Sequence, residues 1–330
     1  MSATTENSDS HEKEDAPARV TAHIQTKTKK VLFTGALAAL ATILTKGAIA
    51  YRIRQRKELA HVRAGSNMIE TAMGPVEYRM SGKGPAVVIV HGSPGGYDQA
   101  FAFSRLIDSQ QYTYIAPSRP GYLRTPLTSG ASPEEQADLY AALLDALEIE
   151  QAMIIGISGG GPSSLQFALR YPERCRSLVM ISGVAQHYSE QELKQARPAW
   201  QRPLKDLYER LTMFDPFLYF LSSIVRLLPG SASTAELLQS VTLYHLRKVG
   251  YKNDMQQFEA IKGYPLEKIT VPTLAVHGTS DDEVPFDHAR TLERMIPHVK
   301  LLAIEGGGHM IFYTHARTVM PILRDFLADR

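Results

Sequence analysis

The sequence has a single cysteine in 330 residues, Cys175. One thiol excludes an intramolecular disulfide and any multi-cysteine metal site, and it leaves the redox compartment open. Its setting, YPERC after a helical pattern, marks it as an ordinary structural cysteine. Excess charge of either sign is also missing, since 36 Lys and Arg against 34 Asp and Glu leave a net charge of +2. Without a basic excess there is no electrostatic footprint for nucleic acid, and none is expected as a partner. Internal repeats and low-complexity tracts are lacking. Long apolar runs are lacking too, with one exception near the N-terminus.

That exception is VLFTGALAALATILT, residues 31–45, which carries no charge. Continued to Tyr51, it is interrupted only by Lys46. About 20 mostly apolar residues suffice to cross a bilayer, and a lysine near a helix end can reach the headgroups. Residues 31–51 are therefore expected to form an N-terminal membrane anchor. Two alternatives stay open: a signal peptide cut after Ala48-Ile49-Ala50, giving an exported protein, or a helix packed on a cytoplasmic domain. The 30-residue leader is long for a signal-peptide n-region, which favours the anchor. Residues 1–30 are polar and mixed in charge, with nothing to bury, and are expected to be disordered. Residues 52–66 read as a basic linker. Five basic residues in 11–30 face five in 52–66, so flanking charge sets no orientation.

From residue 67 the pattern becomes regular. MIETA (68–72) and GPVEYRMSG (74–82) predict a hairpin. AVVIV (86–90), YTYIAP (112–117), QAMIIG (151–156), RSLVMISG (176–183), VPTLAVHG (271–278) and VKLLAIEG (299–306) predict buried strands. Helical patterns fall between them. SPEEQADLYAALLDALEI starts with a capping box of Ser132 and Glu135 around Pro133. SLQFALRYP and the stretches 286–296 and 312–328 are the others. Alternation of this kind predicts an α/β fold with a mostly parallel, eight-stranded sheet and helices on both faces. Residues 185–267 break the alternation and read as an inserted helical cap punctuated by Pro198, Pro203, Pro216 and Pro229.

The chemistry centres on GISGGGP, residues 156–162. A phosphate loop would need Lys-Ser or Lys-Thr after Gly161, but Pro162-Ser163 stands there. No G-x-G-x-x-G fits either. Gly156-Ile157-Ser158-Gly159-Gly160 does match G-x-S-x-G, with a strand before it and a helix after. Such a turn forces Ser158 into a strained backbone and exposes its Oγ at the C-terminal edge of the sheet. A serine nucleophile needs a base, and the base needs an acid to orient it. Asp281 follows the penultimate strand in HGTSDDEVP, and His309 follows the last strand in EGGGHM. Asp282 is the rival for the acid, while Glu283 reads as a surface charge. His277 and His315 read as structural.

Three motifs in this order, each after a different strand, resemble the α/β-hydrolase family over about residues 67–330. The resemblance implies a nucleophile at Ser158, an acid at Asp281 and a base at His309. It also implies that HGSPGG (91–96) supplies half of an oxyanion hole, with the backbone N–H groups of Ser93 and Gly159 as donors. The His91 ring would brace that loop. No cofactor or metal is implied. SRPGYLRT (118–125) departs from many relatives, which have glycine where Leu123 stands, and predicts an altered pocket wall. Phe214, Phe217, Tyr219 and Phe220 in the cap are candidates for substrate binding or for cap packing. The expected activity is hydrolysis of a small, hydrophobic, ester-like substrate through an acyl-enzyme. A ligand receptor with little turnover, an acyltransferase or thioesterase, and a C–C hydrolase remain alternatives. The oligomeric state is open.

Overall fold

AVVIV is apolar at every position because both faces of that strand are covered. Val87 and Ile89 join one buried cluster with Phe103 and Leu323. Val88 and Val90 join a second, with Leu143, Leu165 and Leu292. Full burial of each such side chain contributes about 1.5–3 kcal/mol. In this computed structural model, which describes residues 16–107, 111–225, 227 and 240–329, the strand is the third of eight.

The strands are β1 (Asn67–Thr71), β2 (Gly74–Gly82), β3 (Ala86–Val90), β4 (Thr113–Pro117), β5 (Ala152–Ile157), β6 (Cys175–Ile181), β7 (Thr273–Gly278) and β8 (Val299–Ile304). Their order across the sheet is β1-β2-β4-β3-β5-β6-β7-β8. β1–β2 and β2–β4 pair antiparallel. Every other pair is parallel, with Val88 opposite both Ile115 and Ile154. Parallel pairing carries the C-terminal ends of β3, β5, β7 and β8 to one edge of the sheet. The loops holding Ser93, Ser158, Asp281 and His309 leave from those four ends.

Helices cover both faces. Tyr97–Ile107 and Ala316–Ala328 contribute to the cluster around Val87. Pro133–Ala146, Gly161–Arg170 and Asp287–Met295 contribute to the cluster around Val88. The predicted capping box is present, with Ser132 Oγ accepting from Glu135 N–H at 3.2 Å and Glu135 Oε2 accepting from Ser132 N–H at 2.9 Å. The helix Tyr97–Ile107 was not anticipated. Its signal was available, because Tyr97, Ala100, Phe103, Ser104 and Ile107 are its buried residues and recur every three or four positions. The stretch 312–328 is divided into Ile311–Thr314 and Ala316–Ala328.

The cap lies between β6 and β7 and is helical over Glu190–Ala196, Arg202–Thr212, Asp215–Val225 and Lys248–Ala260. Residues 226 and 228–239 of that insertion lie outside the described residues.

The N-terminal region differs from its expectation. A single helix runs from Ala16 to Ala64, through the stretches read as disordered tail, anchor and linker. Residues 1–15 of the expected tail lie outside the described residues. Helix formers dominate this stretch, Pro17 sits in the first turn where proline is tolerated, and no other proline precedes Pro75. Leu59 onward belongs to the second of two compact units, so the unit that carries the sheet begins eight residues before β1. Val62 is buried in it, and Tyr97 Oη donates to the Val62 carbonyl at 2.5 Å. Among the described residues, Phe33–Ala64 is the one segment of helix long and apolar enough to cross a membrane.

Candidate active site

Ser158 has φ of +50°, a left-handed conformation rare for a residue with a side chain. The glycines around it show why the chain can turn there. A Cβ on Gly156 would meet Ser164 Oγ at 2.6 Å, and one on Gly160 would meet the Val90 carbonyl at 2.6 Å. Gly156 thus admits the following helix, and Gly160 admits the neighbouring strand β3. Gly161, for which the sequence suggested no role, is also needed small, because a Cβ there would collide with the Val184 carbonyl in the segment after β6.

Ser158, His309 and Asp281 meet at the edge of the sheet. His309 Nε2 lies 3.0 Å from Ser158 Oγ, and His309 Nδ1 lies 2.8 Å from Asp281 Oδ2. The other carboxylate oxygen, Asp281 Oδ1, accepts from the N–H groups of Glu283 and Val284, both at 2.9 Å. His277 Nε2–H donates to the Val284 carbonyl at 2.9 Å and lies 3.2 Å from Asp281 Oδ2. Burial alone would raise the Asp281 pKa. The hydrogen bonds from His277, His309 and Val284 outweigh it and hold the carboxyl below the usual carboxylate range. Burial likewise opposes charge on His309, yet its hydrogen bond to Asp281 and the Asp281 charge lift its pKa above the ordinary histidine value.

The rival acids are placed elsewhere. Asp282 is solvent-exposed and pairs with Arg197 of the cap at 3.2 Å. Glu283 has a side chain 43% exposed, in keeping with a surface charge, and it also lines the adjacent cavity with its Oε2 3.9 Å from His309 Nε2. His315 is half-buried just before the C-terminal helix.

The loop 91–96 abuts the elbow. A Cβ on Gly92 would meet Ser158 Cβ at 3.1 Å, and one on Gly159 would collide with Ser93 Oγ. His91 is fully buried. Its Nδ1–H donates to the Gly92 carbonyl at 2.8 Å, and its Nε2 accepts from Arg119 N–H at 2.9 Å. Burial first, then the Arg119 charge, keep its pKa well below the ordinary value. The ring is thus a neutral brace of fixed tautomer.

Ser158 and His309 open into a cavity of about 320 Å³. Phe103, Met213, Leu218 and Phe312 supply apolar wall, and Glu190, Lys194, Arg197 and Glu283 supply charge. The four cap aromatics singled out in the sequence do not line it. Phe214 and Phe220 are more than half exposed, and the face of Asp215–Val225 turned to the protein is carried by buried Leu218 and Ser222. Leu123 does not line it either. It has φ of +50°, the conformation glycine adopts at no cost, and packs with the cluster around Val87. Its difference from glycine therefore leaves the pocket wall untouched. Sequence reasoning missed a buried cluster behind Ser93, made by Arg119, Tyr122 and Asp254. Arg119 stood in the quoted SRPGYLRT, but nothing local marked Asp254, which lies 135 positions away.

Known proteins resemble this chain over most of its length. The chain is 31% identical over 256 residues to the uncharacterized hydrolase YcgS of Bacillus subtilis, covering 72% of this chain and 89% of that protein. It is 28% identical over 266 residues to a 2-hydroxy-6-oxononadienedioate/2-hydroxy-6-oxononatrienedioate hydrolase of Paraburkholderia phymatum, covering 77% and 91%. An alpha/beta hydrolase fold protein from Nakamurella multipartita superposes with a TM-score of 0.64 at 32% identity, over 80% of this chain and 98% of that one. Residues 85–316 match the family described as the alpha/beta hydrolase fold. That match takes in the elbow, the cap and the loops of Asp281 and His309, and the chain belongs to the α/β-hydrolase fold family.

Proposed function

We propose that the protein is a serine hydrolase that cleaves an ester-like bond of a small, largely apolar substrate. The observation that carries this reading is the continuous hydrogen-bonded chain Ser158–His309–Asp281, whose serine end opens into the 320 Å³ cavity. His309 takes the proton of Ser158 Oγ as the oxygen attacks the carbonyl carbon. Asp281 holds the imidazole in the tautomer with its proton on Nδ1. The N–H groups of Ser93 and Gly159 receive the carbonyl oxygen as it becomes negative, a role worth about 2.7–4 kcal/mol for one donor. His309 then protonates the leaving group, and water activated by the same ring releases the acid from Ser158.

The test is labelling with a fluorophosphonate. Wild type takes up one label, and Ser158→Ala takes up none while its circular dichroism is unchanged. Labelling that persists in Ser158→Ala rejects the nucleophile.

A second reading is supported by the relative named as a dienedioate hydrolase. The same three residues would then cleave a carbon–carbon bond beside a ketone. Side-by-side turnover of p-nitrophenyl esters and a 2-hydroxy-6-oxo-dienoate separates the two, because preference appears as a ratio of kcat/KM.

We also infer that the apolar part of the N-terminal helix, residues 31–51, anchors the protein in a membrane. Its apolar composition and length support this. A full-length chain that is uncleaved and remains in the soluble fraction without detergent rejects the anchor.

A further inference from the structure

Ser93 takes part in two structures at once. Its N–H is one of the two donors assigned above to the developing oxyanion. Its side chain enters a buried polar cluster, where Ser93 Oγ donates to Asp254 Oδ2 and accepts from Arg119 Nη2 at 2.9 Å. Asp254 also accepts from Arg119 Nη1 at 2.9 Å and from the Tyr122 hydroxyl. Arg119 and Asp254 are each 1% exposed and Tyr122 is fully buried. None of the three lines the cavity, so none touches substrate in it.

The carboxylate comes from the cap. Asp254 lies in the helix Lys248–Ala260, the last α-helix before β7. The residue that precedes this helix, Arg247, is fully buried too. It donates to the Gly95 carbonyl at 2.6 Å and pairs with Asp98 at 2.7 Å. The loop after β3 is therefore held at Ser93 and at Gly95 by one cap element. A hydroxyl has one hydrogen to give. With that hydrogen committed to Asp254 and a lone pair committed to Arg119, the Ser93 side chain is fixed in position. Its own backbone N–H is fixed with it.

Resting on the serine-hydrolase reading above, we propose that Asp254 is a positioning residue. Through Ser93 Oγ it sets the direction of the Ser93 N–H, so that the oxyanion hole is complete only with the last cap helix docked. Electrostatic stabilisation of this kind depends on donors held in place before the charge develops. A misplacement of about 1 Å can cost about a hundredfold in rate.

The test uses full-length protein in detergent, a p-nitrophenyl ester, and the variants Asp254→Asn, Ser93→Ala and their combination. Ser93→Ala keeps the backbone N–H and removes the tie. Each single change is expected to lower kcat by about tenfold or more, with KM within about threefold, because the loss falls on the transition state. The double variant is expected to match the worse single one, since both cut the same link. A trifluoromethyl ketone, which forms an oxyanion on Ser158, should lose affinity in step with kcat. An unchanged kcat in folded Asp254→Asn, or losses that multiply in the double variant, overturns the proposal. Should Asp254→Asn fail to fold, an unchanged kcat in Ser93→Ala overturns it equally. Fluorophosphonate labelling of the wild type is measured first. Its absence rejects the serine nucleophile itself, a failure distinct from that of Asp254.

Discussion

Ser158 and His309 are 151 positions apart in the chain and 3.0 Å apart in space. The helix after the elbow, β6, the cap, β7 and β8 all intervene between them. Parallel pairing of β5, β6, β7 and β8 converts the separation into adjacency at one sheet edge. The first prediction concerns the pair directly. Ser158→Ala lowers kcat by about ten-thousandfold or more, because nucleophile and base act as one unit. Adding His309→Ala to it should cost little further. Full additivity in ester turnover would show that the two do not cooperate.

A second prediction concerns pH. A general base at His309 must be neutral, and the pKa of His309 lies above the ordinary value of about 6.5. The rate should therefore rise with pH through that raised value and level off above it. Asp281→Asn removes the charge that lifts the pKa and leaves the burial that lowers it. The acidic limb should move to lower pH while the plateau falls by about ten-thousandfold. A limb that stays in place in the kcat/KM profile would show that Asp281 is not the source of the shift.

The cavity wall gives the third. Leu218 is buried and lines the cavity, whereas Phe214 and Phe220 are exposed and do not. Leu218→Ala should lower kcat/KM for an apolar acyl chain by about tenfold, the worth of lost methylene contacts in a pocket. Phe214→Ala and Phe220→Ala should leave it unchanged. The opposite ranking in an acyl-chain series would return the aromatics to the site.

Close packing behind the elbow gives the fourth. Gly161→Ala sets a methyl against the Val184 carbonyl and should destabilise the fold by about 1–3 kcal/mol. Thermal unfolding reads this, with Gly308→Ala, where a Cβ meets nothing within 4 Å, as the control. Equal melting temperatures would mean the segment after β6 can withdraw.

The fifth concerns the membrane. Leu37 and Leu40 lie in the apolar stretch. Changing both to Asp should move the chain into the soluble fraction, since each acidic residue near the centre of a span costs about 2.5–3.5 kcal/mol. Continued resistance to alkaline extraction would reject a spanning helix.

Eight strands, their order in the chain and the loops that carry Ser158, Asp281 and His309 were legible in the sequence. Two-sided burial gives parallel strands continuous apolar runs, and the elbow requires its glycines. The helix Tyr97–Ile107 was legible in principle, through the spacing of its buried residues. The cavity wall was not. Aromatic content says that Asp215–Val225 buries something, but rotation of a helix about its axis decides which side chains face inward, and Leu218 lines the cavity where Phe217, Tyr219 and Phe220 were candidates. The cluster of Arg119 and Asp254 was hidden for another reason. Both are common surface residues, and only the folded cap brings them within 2.9 Å.

The cap departs from β6 and returns to β7, and these two strands are direct neighbours in the sheet. Its two ends are therefore pinned side by side whatever lies between them. Closing a loop between fixed ends depends only weakly on length, with each doubling costing about 0.6 kcal/mol. The sheet is thus indifferent to the size of what is inserted there, and a foreign cap could be grafted at this junction without disturbing strand order. Such a graft would still lack a charged partner for the buried guanidinium of Arg119 unless it carried a carboxylate where Asp254 now stands.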